Sequence, residues 1–160
     1  MSAFLLPIAD RDPLAWILAE QRTAFPARRS QEAQRLRRGD RLFLYATRGC
    51  FHNPTRDRGR VIGAAGVSAA AAALDEPVRF GGREFPIGVE LRIELLAPRH
   101  EGVELAPLVQ RLDAFPEAHS RSARMRRALV PLGARDAALL ERELAKVARR
   151  YPHDLESYAA

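Results

Sequence analysis

The fold of this chain is decided by Gly39-Asp40-Arg41-Leu42-Phe43-Leu44-Tyr45-Ala46-Thr47-Arg48. Gly-Asp predicts a tight turn, and the alternating residues that follow predict a half-buried β-strand. A long loop separates this strand from a second one, Val61-Ile62-Gly63-Ala64-Ala65-Gly66-Val67-Ser68. The glycines of the second strand allow another backbone or a flat ligand to approach closely. We therefore expect two adjacent strands whose ends frame a pocket.

Short strands and helices alternate along the rest of the chain. The apolar pattern predicts strands over 3–9, 87–96 and 125–130, and a hairpin around Gly81-Gly82. It predicts a helix that begins at Asp12 and Pro13 and leads into a loop at Phe25, and further helices over 30–38, 105–112 and 134–149, with a helical turn over 69–77. This order favours an α+β fold, a small mixed or antiparallel β-barrel flanked by helices. We expect one domain over 1–150 and a C-terminal tail over 151–160.

The charge of the chain favours a polyanionic partner. The formal net charge is +6, the sequence pI is about 10.6, and Lys146 is the only lysine among the 26 basic residues. Arginine suits bidentate contacts with phosphates and base edges and stacks on planar rings. A GC-rich genome would also produce many arginines, so a basic surface without a partner remains the alternative.

Catalytic and metal-binding patterns are weak in this sequence. The four histidines are widely scattered, and neither a phosphate-binding Gly-Lys-Ser/Thr loop nor a dinucleotide fingerprint occurs. Cys50 and His52 could form a nucleophilic dyad, but an unpaired thiol is the simpler interpretation. We therefore expect a non-enzymatic protein without metal or cofactor. The single cysteine and the absence of a long apolar run predict a cytoplasmic protein without a membrane span.

Aromatic and arginine side chains form the pattern that is typical of a nucleic-acid site. Trp16, Phe25, Tyr45 and Phe51 lie near element ends, among Arg28, Arg29, Arg48, Arg56 and Arg58. Aromatic faces stack on bases, and arginines hold phosphates. Each aromatic could instead belong to the core, which is the simpler interpretation for Trp16 and Phe25. A second basic cluster, Arg121, Arg124, Arg126 and Arg127, is either a phosphate-binding track or a solvated loop.

The order of these motifs resembles the EVE domain of the PUA-like superfamily. The first hydrophobic strand and helix, Arg37-Arg38-Gly39-Asp40 before Leu42-Phe43-Leu44-Tyr45, and the later Ile62-Gly63-Ala64-Ala65-Gly66-Val67-Ser68 follow the family pattern. The resemblance covers about residues 3–148, and ASCH and YTH domains share the architecture. Leu5 stands where EVE sequences usually carry a Trp. The chain therefore departs from the family pattern at a residue of the aromatic cage that would surround the base.

The resemblance implies a nucleic-acid-binding module that recognises a base, and EVE and YTH domains are associated with modified bases. By position, the base pocket would be formed by Leu6, Pro7, Trp16, Phe25, Tyr45, Thr47 and Ser68. Arg28, Arg48, Arg126 and Arg127 would bind the phosphates. Two alternatives stay open: an ASCH-like RNA-processing enzyme, and a small-ligand or protein-binding module that uses the same pocket. DNA or RNA, the modification, and the oligomeric state are not determined by the sequence.

Overall fold

The computed structural model describes residues 1–115 and 127–159, and a pair of parallel strands lies at the centre of its sheet. Strand β1 (Ala3–Ile8) pairs with β3 (Arg41–Ala46) so that Leu6 lies opposite Leu44. Strand β4 (Arg60–Val67) runs antiparallel on the other side of β3. The two adjacent strands that the sequence predicts are therefore confirmed as β3 and β4, joined by the loop 47–59.

Six further strands extend this sheet. They are β2 (Arg22–Phe25), β5 (Ala72–Phe80), β6 (Arg83–Leu96), β7 (Val103–Glu104), β8 (Val130–Leu132) and β9 (Arg149–Arg150). The main order is β2-β6-β4-β3-β1-β8, with β5 and β9 paired to β6 and β7 paired to β4. The sheet curls into a half-barrel with flanking helices, which confirms the predicted α+β class.

The helices are few and short. Helix α1 spans Arg11–Glu20, α2 spans Ser30–Ala33 and α3 spans Ala134–Ala145. Single 3-10 segments occur at Ala27–Arg29, Ala106–Arg111 and Leu155–Tyr158. Helix α1 begins earlier than predicted because its cap is Asp10, whose Oδ1 accepts a hydrogen bond from the backbone N–H of Asp12 at 3.2 Å.

The two faces of the sheet pack against different partners. The inner core contains Phe4, Leu6 and Ile8 of β1 and is completed by α1, α2 and the ring of Phe25. The outer core contains Ala3, Leu5 and Phe43 and is completed by α3 and the 3-10 segment Ala106–Arg111. Successive residues of a strand point to opposite faces, so β1 contributes to both cores in alternation.

Four predicted elements differ from the structure. The segment 69–77, predicted as a helical turn, belongs mainly to β5, because the hairpin turn at Gly81 and Gly82, with φ of 57° and 77°, pairs it with β6. Phe25, predicted in a loop, lies in β2. Helix α2 ends at Ala33 rather than at residue 38. Helix α3 ends at Ala145 because the chain then turns to pair β9 with Leu95 and Leu96 of β6.

Of the predicted strand 125–130, residues 125 and 126 lie outside the described residues, and the strand observed in this region is β8. The predicted 3–9 and 87–96 strands correspond to β1 and the second half of β6.

The C-terminal segment is hydrogen-bonded to earlier parts of the chain. The Tyr151 hydroxyl donates to the carbonyl oxygen of Leu18, and the Tyr158 hydroxyl donates to that of Ala97, both at 2.6 Å. Tyr158 is buried among the inner-core residues. Two tyrosines therefore anchor this segment to α1 and to the end of β6, while the division into a domain over 1–150 and a tail over 151–160 stays a prediction.

Candidate nucleic-acid interface

The sheet separates the residues that were predicted to form one base pocket. Leu6 and Phe25 are buried in the inner core. The ring of Tyr45 packs against the outer core, and its hydroxyl lies directly beside Gly59, where an added Cβ would collide with it. Tyr45 lies two residues after Phe43 and shares its face of β3, which packs on the outer core. Leu6 and Phe25 lie on the opposite face, so Tyr45 cannot share a cavity with them.

Ser68 also lies away from the other pocket candidates. Pro7 is opposite Tyr45 in the register, and the backbone N–H of Thr47 donates to the carbonyl oxygen of Ile8 at 3.0 Å, so Pro7 and Thr47 are neighbours. Antiparallel pairing places Gly66 opposite Arg41, at the far end of β3. Ser68 follows at that far end, so the structure does not bring it together with Thr47.

Trp16 contacts the β5–β6 hairpin instead of a pocket. Its ring meets Phe80 edge-on with centroids 6.0 Å apart, and Phe80 meets Phe85 at 5.3 Å. The guanidinium carbon of Arg22 lies 5.4 Å from the centre of the Trp16 ring. This half-buried aromatic row fastens the hairpin to α1.

A cleft of about 220 Å³ opens beside the C-terminal ends of β1 and β3. It is formed by the start of α1, the loop 47–59, the turn after β6 and the C-terminal 3-10 segment. Its lining residues are Arg11, Asp12, Leu14, Ala15, Phe51, Arg99, Tyr158 and Ala159. Phe51 was a sequence candidate for stacking, but the other lining residues were not predicted, because the cleft is assembled from four distant parts of the chain.

Phe51 is the centre of an aromatic and cationic cluster on one wall of this cleft. The guanidinium carbon of Arg99 lies 4.6 Å from the Phe51 ring centre, and the rings of His100 and Tyr158 lie 5.4 and 6.4 Å from it. The backbone N–H of Arg99 donates to Ser157 Oγ at 3.0 Å. Burial raises the pKa of the Tyr158 hydroxyl, which therefore stays a proton donor to Ala97.

Two His–Asp contacts link the cleft loop to neighbouring segments. His52 Nε2 lies 3.4 Å from Asp10 Oδ1, and His100 Nδ1 lies 3.7 Å from Asp57 Oδ1. His52 therefore contacts Asp10 at the start of α1. Cys50 is fully buried, and that burial raises its pKa to about 12. A thiol that stays protonated is a poor nucleophile, so the arrangement does not support a Cys50–His52 dyad.

Histidine, cysteine and acidic side chains do not gather into a metal site within residues 1–115 and 127–159.

A strongly basic surface surrounds α2. We call it the α2 basic surface and define it by the exposed arginines Arg28, Arg35, Arg37, Arg38 and Arg127. The two acids of this stretch are used internally. Glu32 binds the Arg29 guanidinium at 2.7 Å and accepts from the backbone N–H of Leu129 at 3.1 Å. Buried Asp40 accepts from the backbone N–H groups of Ser2 and Arg37, both at 2.9 Å.

This use of the acids has two consequences for phosphate binding. The bond from Leu129 to Glu32 joins α2 to the stretch that carries Arg127, so two predicted phosphate ligands, Arg28 and Arg127, lie on neighbouring segments. Among the described residues of this stretch the arginines also outnumber the two acids, so the surface keeps a net positive charge. Arg48 is exposed on the cleft loop, and Arg126 lies outside the described residues.

The fold is similar to that of several solved structures. The YTH domain of Mmi1 in complex with RNA matches with a TM-score of 0.57 and 14% identity over 92% of this chain and 83% of that chain. A hypothetical protein from Leishmania major matches with a TM-score of 0.56 and 14% identity over 91% and 96% of the two chains. Rpa0253 from Rhodopseudomonas palustris matches with a TM-score of 0.55 and 18% identity over 91% of this chain and 94% of that chain.

These similarities establish a class of fold and leave membership of a family open. No family model matches the chain, and no curated protein matches it. The structural likeness shows a fold similar to that of the YTH domain, while the PUA-like and EVE assignments stay predictions. No helix in the part of the chain that the structure describes is long and apolar enough to cross a membrane.

Proposed function

We propose that this protein is a module that binds single-stranded RNA, with the α2 basic surface on the phosphates and one base in the cleft beside Phe51. The observation that carries the proposal is the α2 basic surface itself. Its five arginines are exposed, whereas the acids of the same stretch are bonded to backbone N–H groups and to Arg29. Such a surface attracts a phosphate backbone independently of sequence.

The fold gives this proposal independent support. Mmi1, whose YTH domain has a similar fold, is seen in complex with RNA. The cleft adds an aromatic wall, Phe51 and Tyr158, and an apolar wall, Leu14 and Ala15. Proteins that recognise unpaired RNA bases use aromatic and arginine surfaces of this kind.

Recognition of a modified base is the finer part of the proposal. An added methyl group would be received by the apolar side chains of Leu14 and Ala15, which line the cleft. Arg48 would hold a phosphate beside the cleft, because it is exposed on the loop that carries Phe51. Tyr45, Leu6 and Phe25 would support the fold rather than contact the base.

The decisive experiment measures binding of a fluorescent single-stranded RNA and of the matching DNA across a salt series. The proposal requires that affinity for RNA fall steeply with salt, since each phosphate contact contributes roughly 0.7 to the log–log slope. Arg48→Glu should flatten that slope if the strand passes the cleft. Affinity that does not change with salt would exclude phosphate binding, and a strong preference for DNA would exclude RNA as the partner.

The same sample tests the alternative of an RNA-processing enzyme. Incubation with end-labelled RNA should leave the RNA intact under the binding conditions. Cleavage that is lost in a variant of the cleft would favour the enzyme, and binding of a small ligand without any RNA binding would favour a ligand-binding module.

A further inference from the structure

A row of aromatic side chains lies on the β5–β6 hairpin and continues onto α1. Trp16 meets Phe80 edge-on with ring centroids 6.0 Å apart, and Phe80 meets Phe85 at 5.3 Å. The guanidinium carbon of Arg22 lies 5.4 Å from the Trp16 ring centre, and that of Arg83 lies 5.7 Å from the Phe85 ring centre. The aromatic row therefore carries a cation at each end, and we call these residues together the hairpin row.

The register of the hairpin explains why the row lies outside the core. Val78 pairs with Phe85 and Phe80 pairs with Arg83, so these four side chains share one face of the hairpin. Phe85 lies two residues before Ile87 on β6, and Ile87 packs against the inner core. Because side chains of a strand share a face at every second residue, the inner face of the sheet continues past the core onto the hairpin.

This extension of the inner face is only partly covered. Phe80 and Phe85 are half-buried, and neither is among the described side chains that pack against the inner or the outer core. In an edge-on pair one ring contributes only its edge, so that contact leaves the faces of this ring uncovered. A contiguous apolar patch that stays accessible beside a polar rim marks an interaction surface.

The charged side chains stacked on the described rings of the row are arginines. Arg83 shares the face of the rings, whereas Glu84 lies on the opposite face of the hairpin and pairs there with Arg79. Arg22 lies 3.9 Å from Glu20, and an exposed pair at this distance contributes little. Two cations at the ends of an aromatic row match a ligand that is flat and anionic.

We propose that the hairpin row stacks bases of the same strand whose phosphates bind the α2 basic surface. The inference rests on the proposed function and adds a second subsite for its ligand. Aromatic faces and guanidinium planes stack on unpaired bases with little regard to sequence, because every base has a π-face. The row therefore adds affinity for bases in general, and it does not select one of them.

The position of the row suits a strand that leaves the α2 basic surface. Phe25 at the end of β2 lies opposite Ile87, and the 3-10 segment that follows, Ala27–Arg29, contacts β6. Phe85 precedes Ile87 by two residues on the same strand. Arg28 of the α2 basic surface and Phe85 of the row therefore border the same part of β6, so one strand can place phosphates on the first and bases on the second.

The test uses Trp16 as a fluorescent reporter, because it is the only tryptophan of the chain. Titration with a single-stranded uridine oligomer should quench its emission, since a base stacked at this end of the row contacts the indole ring. An abasic RNA oligomer of the same length carries the same phosphates. It should bind more weakly with a similar salt slope and leave the emission unchanged. Both arms use the unaltered protein and do not depend on whether a variant folds.

Variants then assign the stacking to the row. Phe80→Leu with Phe85→Leu removes the aromatic faces and keeps most of the apolar packing. Affinity for the uridine oligomer should fall about fivefold or more at every salt concentration, from the roughly 5- to 150-fold that one stacked base contributes. The salt slope should stay the same, because no phosphate contact is lost. Arg79→Gln with Glu84→Gln is the matched control on the opposite face of the hairpin and should leave affinity unchanged.

The outcomes separate this inference from the proposed function. Salt-sensitive RNA binding without quenching, equal quenching by the abasic oligomer, or equal loss of affinity in the control overturns the hairpin row and keeps the proposed function. A thymidine DNA oligomer that quenches Trp16 and binds more tightly than RNA keeps the hairpin row and excludes RNA as the partner. A protein dimer that the Phe80/Phe85 variant dissociates, without quenching by RNA, assigns the row to self-association and overturns the inference.

Discussion

Replacing Arg37 and Arg38 by glutamine tests the α2 basic surface most directly. Both side chains are exposed, and glutamine keeps part of the aliphatic stem while it removes the charge. If all five arginines of the surface contact phosphates of single-stranded RNA, the log–log salt slope is about 3.5, and raising salt from about 50 to 200 mM lowers affinity about a hundredfold. The double variant should have a slope of about 2.1, so the same change in salt should lower affinity only about twentyfold.

Fluorescence anisotropy of a labelled uridine oligomer at four or five salt concentrations measures both slopes. Arg135→Gln with Arg142→Gln is the matched control, because it removes two exposed charges from α3, which packs on the outer core rather than beside α2. The control should weaken binding only slightly and leave the slope unchanged. An unchanged slope in the Arg37/Arg38 variant, or an equal change in the control, would show that the strand lies elsewhere.

Three further predictions concern packing and titration. Gly63→Ala should lower the free energy of unfolding, measured by urea denaturation, by about 1–3 kcal/mol, because the added Cβ would lie 2.8 Å from the Leu95 carbonyl oxygen. Gly66→Ala, measured in the same way, should leave the free energy of unfolding unchanged or raise it slightly. Asp136→Ala should cost about 2 kcal/mol or more in that assay, because its buried carboxylate accepts from two backbone N–H groups at 2.8 Å; an unchanged midpoint would contradict this role. Burial raises the pKa of Cys50 to about 12, whereas the thiol of an unfolded chain titrates near about 8.5. The unfolded state therefore loses its proton first, and the free energy of unfolding should fall as pH rises above about 8.5. Cys50→Ala should remove that part of the pH dependence.

Local pattern was sufficient for the centre of the sheet. Gly39, with φ of 93°, makes the turn that its lack of a Cβ allows, and the apolar run after it forms β3, which is buried on both faces rather than half-buried as expected. Gly63 meets the backbone of β6 closely, as expected for a glycine in a buried strand. The hairpin at Gly81-Gly82 also follows from its two residues alone.

Local pattern was not sufficient where pairing partners decide the outcome. The alanine-rich segment before Pro77 has no strong strand preference, and it became β5 because β6 offered it a partner. Strand β2 has only four residues, and no local sequence pattern predicts its pairing with residues 87–90 of β6. The C-terminal segment is anchored by two tyrosine hydroxyls that reach Leu18 and Ala97.

The sequence by itself determined the class of fold, the central strands and the excess of arginine, because these depend on composition and on neighbours along the chain. Only the tertiary structure decided which side chains meet. It placed Tyr45 and Phe25 on opposite faces of the sheet, and it brought Asp12, Phe51 and Arg99 to one cleft. Side chains alternate between the two faces of a strand, but which face each set covers depends on how the strand pairs in the sheet. A cleft between distant segments depends on how the sheet curls. Sequence order gives neither of these.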